Sequence, residues 1–184
     1  IFWKCGARLR TRNIGTTIFV QQHLRWRKDH LRRLRNAHDG GVTVVRDDSL
    51  VAFWPLLEAN LMHRFGASPV HTLREMELLK GRFPDSIIQY NAYREGRIIG
   101  GLTFYITPQV VHGQYSSTND EGKAYGAMEA IYEQVMAHDY PDRPYLDFGS
   151  STEQGGSVIN EGLIAHKEGY GGRGVVYDTY EWEL

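Results

Sequence analysis

Tyr145-Leu146-Asp147-Phe148-Gly149-Ser150, then Asn160-Glu161-Gly162-Leu163-Ile164-Ala165-His166-Lys167-Glu168-Gly169-Tyr170-Gly171-Gly172, then Val175-Val176-Tyr177-Asp178-Thr179-Tyr180: these three runs decide the fold. The first is a short strand with a carboxylate between two large apolar residues. The second predicts a helix over 158–168 that glycine stops at 169. The third is rich in β-branched and aromatic residues and predicts a closing strand over 174–183. A chain that ends strand, helix, strand needs a sheet with helices packed on it.

Working outward, Thr118 with Glu121 reads as a capping box opening a helix over 120–138, with Ala124, Met128, Ile131 and Val135 on one face. Residues 86–94 and 97–107 read as strands joined by a two-residue hairpin at Glu95-Gly96, and 110–117 as a third strand. Thr72 with Glu75 is another capping box, for a helix over 73–81. A helix over 50–65 carries Leu50, Phe53, Leu57, Leu61 and Phe65 on one face. Pro55 inside it predicts a kink or a late start, because proline lacks a backbone donor. Ahead of it lie strands at 15–22 and 42–45 and a helix at 24–37. Leu24, Leu31, Leu34 and Ala37 line that helix, among Arg25, Arg27, Lys28, Arg32, Arg33 and Arg35.

After residue 48 the order is helix, helix, three meandering strands, helix, strand, helix, strand, which predicts an α/β architecture with a mixed sheet. That order resembles the acyl-CoA N-acyltransferase fold of the GNAT superfamily. The Lys167-to-Gly172 element resembles the C-terminal end of its Fem-type branch, whose members modify cell-wall precursor peptides. The chain resembles the second GNAT-like module of such proteins together with the connecting helix. It divides as 1–40, a strand and a basic helix, and 41–184, the acyltransferase domain, with the boundary near Gly40-Gly41.

The resemblance implies an N-acyltransferase that passes an acyl or aminoacyl group to an amine, with acyl-CoA or aminoacyl-tRNA as donor co-substrate and no tightly bound cofactor. It places Lys167 at the transfer site, where an ammonium stabilises oxyanion charge, and Tyr170 at the aromatic position of the same element. Read from the residues alone, Lys167 is equally a lysine favoured by a helix C-terminus, and Tyr170 a packing residue. Asp147 in its buried strand needs partners, from backbone or from a substrate ammonium.

At the strand-to-helix junction, Thr118, Asn119, Gly122, Lys123 and Gly126 form a candidate donor-phosphate site, since free N–H groups and the helix dipole suit an anion. Acetyl-CoA-using relatives carry Gln/Arg-x-x-Gly-x-Gly/Ala there. Here the glycines are spaced differently and Asp120 and Glu121 are acidic, which predicts weak acetyl-CoA binding. Alternation along the preceding strand predicts that Gln114 or Tyr115 faces substrate, with His112 a candidate base. The run Gly169–Gly174 formally matches Gly-x-Gly-x-x-Gly. It follows a helix and precedes a strand, so it reads as a glycine-rich helix exit and not a dinucleotide fingerprint.

The 184 residues include one cysteine, Cys5, and eight histidines without metal-ligand spacing, so no metal site or internal disulfide is expected and a reducing, cytoplasmic setting is. No run is long enough to span a membrane, and the opening Ile1-Phe2-Trp3-Lys4 lacks the order of a signal peptide. The absence of a starting methionine reads as a fragment or a processed chain. Charge is split: residues 1–40 hold ten Lys/Arg against two Asp/Glu, and the remainder eleven against twenty. The basic helix, through Arg32, Arg33 and Arg35, either contacts RNA or a nucleotide-linked substrate or docks on another module. The rival reading is a non-catalytic half of a paired module that only binds a partner or RNA.

Overall fold

The computed structural model describes residues 2–183. One seven-stranded sheet runs through it, in the order β2-β3-β4-β5-β6-β1-β9. Its strands are β1 (Arg8–Phe19), β2 (Thr43–Asp47), β3 (Ile87–Arg94), β4 (Arg97–Ile106), β5 (Val110–Thr118), β6 (Tyr145–Ser150) and β9 (Arg173–Glu181). The two-residue strands β7 (Thr152–Glu153) and β8 (Val158–Ile159) pair separately. The helices are α1 (Lys28–Asp39), α2 (Trp54–Phe65), α3 (Leu73–Arg82), α4 (Asp120–Ala124), α5 (Ala127–Glu133) and α6 (Glu161–Glu168). All neighbouring strands are antiparallel except β5 and β6. The mixed α/β sheet expected from the element order is present.

The β2–β5 half is clad on both faces. Ile88, Tyr90, Leu102 and Phe104 pack with Ile131 and Val135 of the α5 region. On the other face Ile87 and Tyr115 pack with Phe53, Trp54, Leu57 and Met76 of the α2–α3 region. Gln89, Asn91 and Thr103 are buried on this second face and bond one another, as buried polar groups must.

Local signals formed much as written. Thr72 and Glu75 close their capping box. The Glu95-Gly96 turn has positive φ at both residues, as a two-residue hairpin of this kind requires. Pro55 ends up in the first turn of α2, which starts late, at Trp54; there its missing donor costs nothing.

Other expectations need correction. The helix over 120–138 is broken at Gly126, whose φ is 68°. A Cβ there would lie 2.2 Å from the Arg33 carbonyl oxygen, so only glycine lets α1 approach. The N-cap of α4 is Asn119, and the Thr118/Glu121 box does not form, because Glu121 turns away to Arg94 and Arg97. The first strand begins at Arg8 rather than 15. It does not stand apart with the basic helix: β1 lies inside the sheet between β6 and β9, and α1 packs on α5. The glycine-rich exit from α6 is a close approach. Gly171 has φ 88°, and a Cβ there would meet the Leu24 carbonyl oxygen at 2.1 Å.

Candidate functional site

The site grows from the one parallel pairing. Strands β5 and β6 are paired only over Val110–His112 and Tyr145–Asp147. Each then bulges. Thr103 and Phe104 of β4 pair with Tyr115 and Gly113, leaving Gln114 as the extra residue of β5. Gly15 and Thr17 of β1 pair with Ser150 and Asp147, leaving Phe148 and Gly149 opposite Thr16. A bulge bends its strand and increases its twist, and two of them, one on each side, part the pair. A cleft of about 790 Å³ opens beyond, walled by Ser116–Thr118 of β5, Gly122 and Lys123 of α4, Glu129 of α5 and residues of α6. Arg33 of α1 and Asn60, Arg64 and Phe65 of α2 complete its rim. A narrower chamber of about 100 Å³ lies between Leu102, Gly113, Tyr132, Phe148, Leu163 and Lys167.

Lys167 lies on the chamber wall and is only 7% exposed. Its ammonium donates to the carbonyl oxygens of Gly149 (3.0 Å) and Ser150 (2.7 Å), the bulged end of β6. Burial pulls its pKa down to about 8, with the Asp147 carboxylate acting in the opposite direction. It is therefore not a solvated lysine at a helix end.

Tyr170 is 1% exposed and sits among Trp26, His30, Tyr132, Phe148 and His166. Its hydroxyl donates to Glu129 Oε1 at 3.1 Å, and burial followed by the Glu129 charge raises its pKa well above the usual phenol range. That proton is held by a carboxylate rather than offered to a leaving group.

Asp147 turns to the opposite face of the sheet. It accepts from His112 Nδ1 at 2.6 Å and from the Thr17 hydroxyl at 3.1 Å. Burial pushes its pKa up, but the His112 hydrogen bond and charge together with the Gly149 amide outweigh it, and the net shift is downward. Gln114 places Oε1 3.2 Å from His112 Nε2. Tyr115 is buried against Trp54, with its hydroxyl 2.6 Å from His71 Nδ1. Neither Gln114 nor Tyr115 lines the cleft; the next residue, Ser116, does.

Of the junction residues, Thr118, Gly122 and Lys123 line the cleft. Asn119 is occupied as a cap, accepting from the Gly122 amide at 2.8 Å. Gly126 is spent on the α1 contact. Lys123 reaches the exposed Asp120 at 2.8 Å. The basic helix divides: Arg33 points into the cleft, while Arg32 and Arg35 stay exposed.

The sequence reading missed the floor of the cleft. Glu129, buried on α5, accepts at one oxygen from His30 Nδ1 (2.8 Å), Arg33 Nη1 (3.1 Å) and Tyr170 (3.1 Å). Burial opposes its charge, yet the His30 hydrogen bond and the other partners carry its pKa below the usual value. The signal was there: His30 falls at i, i+4, i+7 with Leu34 and Ala37, on the apolar face of α1. Glu129 is the one carboxylate in the otherwise hydrophobic run 127–132. Beside them His166 lines both spaces; shielding by the walls, then the neighbouring His30, depresses its pKa. No group of His, Cys, Asp and Glu fit to hold a metal occurs among the described residues.

A mixed sheet with one parted parallel pair, and a cleft running between helices into the gap, defines an acyltransferase fold of GNAT type. The chain belongs to the acetyltransferase (GNAT) domain family, whose model matches residues 22–154. The same fold is found in FemX, with a TM-score of 0.70 at 12% identity over 90% of this chain and 61% of that one. L-PGS from Bacillus licheniformis gives 0.68 at 11%, over 97% and 62%. The C-terminal domain of a putative lysylphosphatidylglycerol synthetase from Agrobacterium fabrum gives 0.68 at 12%, over 97% and 61%. At these identities the likeness is one of fold, and the chain spans about three-fifths of each of those structures. No curated protein matches it. Among the described residues no helix is long and apolar enough to cross a membrane.

Proposed function

We propose that this chain is an N-acyltransferase that moves a short acyl group from acyl-CoA to a primary amine by direct attack. The observation that carries the reading is the parting of β5 and β6 over an inner chamber with the Lys167 ammonium on its wall. Arg33, Arg64 and Lys123 stand around the outer cleft, where the phosphates of a donor would lie. They meet an anion with side chains rather than with the free backbone of a phosphate loop, because Asn119 already occupies the α4 cap. We therefore expect weak donor affinity.

The acyl carbonyl enters the chamber. An apolar cavity of about 150 Å³ holds benzene, so about 100 Å³ suits a short acyl group. Among the described residues no carboxylate lines the chamber. The α-ammonium of an aminoacyl donor would find Lys167 there and no counter-charge, which favours acyl-CoA over aminoacyl-tRNA. An ammonium has three donors. Two of those on Lys167 fasten Gly149 and Ser150, and we assign the third to the oxygen that gains charge as the amine adds. The carbon–sulfur bond then breaks, the amide forms, and the thiolate takes a proton. Holding both reactants in place is the remainder of the catalysis, and no enzyme nucleophile is needed.

The test is transfer from a panel of acyl-CoA donors, with aminoacyl-tRNA as a separate arm, to free amines, peptide amines and the cell-wall-type peptides that the Fem resemblance implies. Short acyl-CoA donors giving amide product support the reading. Product from aminoacyl-tRNA alone would replace the donor. Salt-dependent RNA binding with no amide from any donor would favour the non-catalytic module.

A further inference from the structure

One row of side chains crosses the seam on the face opposite the chamber. Tyr105 pairs with His112, His112 with Asp147, and Asp147 with Thr17, across β4, β5, β6 and β1. Directly paired residues share a face, so a phenol, an imidazole, a carboxylate and a hydroxyl stand in line. The adjacent row, Ile106, Val111, Leu146 and Ile18, is wholly apolar and buried in the core. The polar row is also the last paired one before β5 and β6 part.

We propose that this row is the acceptor site, with His112 the base that takes the proton from the incoming amine; this rests on the acyl-transfer reading above. The Asp147 carboxylate, held also by Thr17, accepts from His112 Nδ1–H and so leaves Nε2 as the basic nitrogen; Gln114 Oε1, 3.2 Å from Nε2, is an acceptor placed to receive the N–H that forms there when the ring takes a proton. The ring is open to substrate: the His112 and Asp147 side chains are 31% and 14% exposed. It is also next to the chamber. Gly149 separates the two: its carbonyl accepts from Lys167 on one side, and a Cβ on it would lie 3.4 Å from His112 Cε1 on the other. Gly113, the residue after His112, lines the chamber. Donor and acceptor thus approach the gap from opposite faces of the sheet. The ammonium R–NH3+ gives a proton to His112 Nε2. The amine nitrogen then forms its bond to the acyl carbon, the carbon–sulfur bond breaks, and the departing thiolate takes the second proton that the nitrogen loses, leaving amide and free CoA thiol; the imidazolium returns its proton to solvent. The charged and titratable groups around the ring are Asp147 of β6, Tyr105 of β4 and, across Gly149, Lys167 of α6; Thr17 and Gln114 are neutral.

Glycinamide is the acceptor probe and acetyl-CoA the donor probe. The imidazole Cε1–H NMR signal that vanishes in His112→Gln should shift saturably as glycinamide is added to wild type without donor. Acetyl transfer to glycinamide should fall about a hundredfold in His112→Gln, the usual size of a general-base contribution. The acid limb of its pH profile should flatten, and added imidazole should restore part of the rate in His112→Ala. Both variants should stay folded at the assay temperature, with melting lowered by no more than the loss of the one hydrogen bond to Asp147, and the signals that acetyl-CoA shifts in the cleft should be unchanged. A His112 signal that stays still at saturating glycinamide, or His112→Gln transferring at the wild-type rate with the wild-type pH profile, overturns the proposal. Failure of acetyl-CoA to bind wild type would overturn the donor reading instead, since the glycinamide titration is read without donor.

Discussion

The two halves of the sheet are built differently. In β3 and β4 most residues are buried, because helices cover both faces. In β9 almost every residue is exposed, and large side chains such as Val176, Tyr177 and Tyr180 face water. The first half is held by packing. The second sends Ile18 and Leu146 into that core and is otherwise held by backbone pairing of β1 with β6 and β9 and by tethers such as Lys167 on Gly149 and Ser150. The cleft lies where the two meet. A rigid half can fix the donor channel while the seam, bulged on both sides, supplies irregular backbone and unpaired groups for chemistry. Fold and site are separate matters, and here they divide along one strand boundary.

The largest effect should come from the packed half. Phe104 is fully buried between Tyr90 and Tyr132, so Phe104→Ala should lower unfolding free energy by about 3–5 kcal/mol in denaturant melts. A loss under 1 kcal/mol would mean that this half is not the rigid one. At the seam, Lys167→Met removes donors from two carbonyls. With charged hydrogen bonds contributing about 1.5–3 kcal/mol, a loss in that range is expected, well above that of a solvated helix-end lysine. Unchanged melting would show that the tether is not formed in solution.

Arg33 and its neighbours on α1 provide a smaller contrast. Arg33→Gln should weaken acyl-CoA binding about tenfold and flatten its salt dependence, while Arg32→Gln with Arg35→Gln leaves both alone. The reverse pattern in a calorimetric titration would move phosphate recognition out of the cleft. Smallest of all, Val176→Ser on exposed β9 should shift stability by no more than about 0.5 kcal/mol. A larger loss would reveal a covering that the sheet edge lacks here.

What the sequence disclosed and what it hid follow the same division. The Thr72–Glu75 box, the Glu95-Gly96 turn and the Pro55 position are governed by residues a few places apart, and each was legible. The insertion of β1 between β6 and β9 joins residues more than 125 positions apart, the nearest pair being Phe19 with Tyr145. No local pattern encodes it, so residues 1–40 read as an appendage. The site was legible in part. Lys167, Tyr170 and Asp147 were picked out, but their partners were not. Tyr170 and His30 meet at Glu129, 41 and 99 residues away, and Asp147 meets His112 across 35. A side chain's chemistry is set by what burial brings to it, and that depends on contacts the chain makes only once folded. The alternation rule for Gln114 and Tyr115 failed for a related reason: a bulge at Gln114 resets it.

The central claim is that the ammonium of Lys167 acts at the seam, and its pH dependence tests this most directly. In the proposed mechanism the charged form is the active one, and its pKa is depressed to about 8. Acetyl transfer from acetyl-CoA to glycinamide should therefore show an alkaline limb, falling as pH rises through about 8. Stability should move the other way, because the cost of burying the charge is relieved between about 8 and the ordinary lysine value of about 10.4. In Lys167→Met the rate should drop about a hundredfold or more, as when one oxyanion donor is lost, and the alkaline limb near pH 8 should vanish. A folded Lys167→Met protein that retains full turnover with the same alkaline limb would contradict the account.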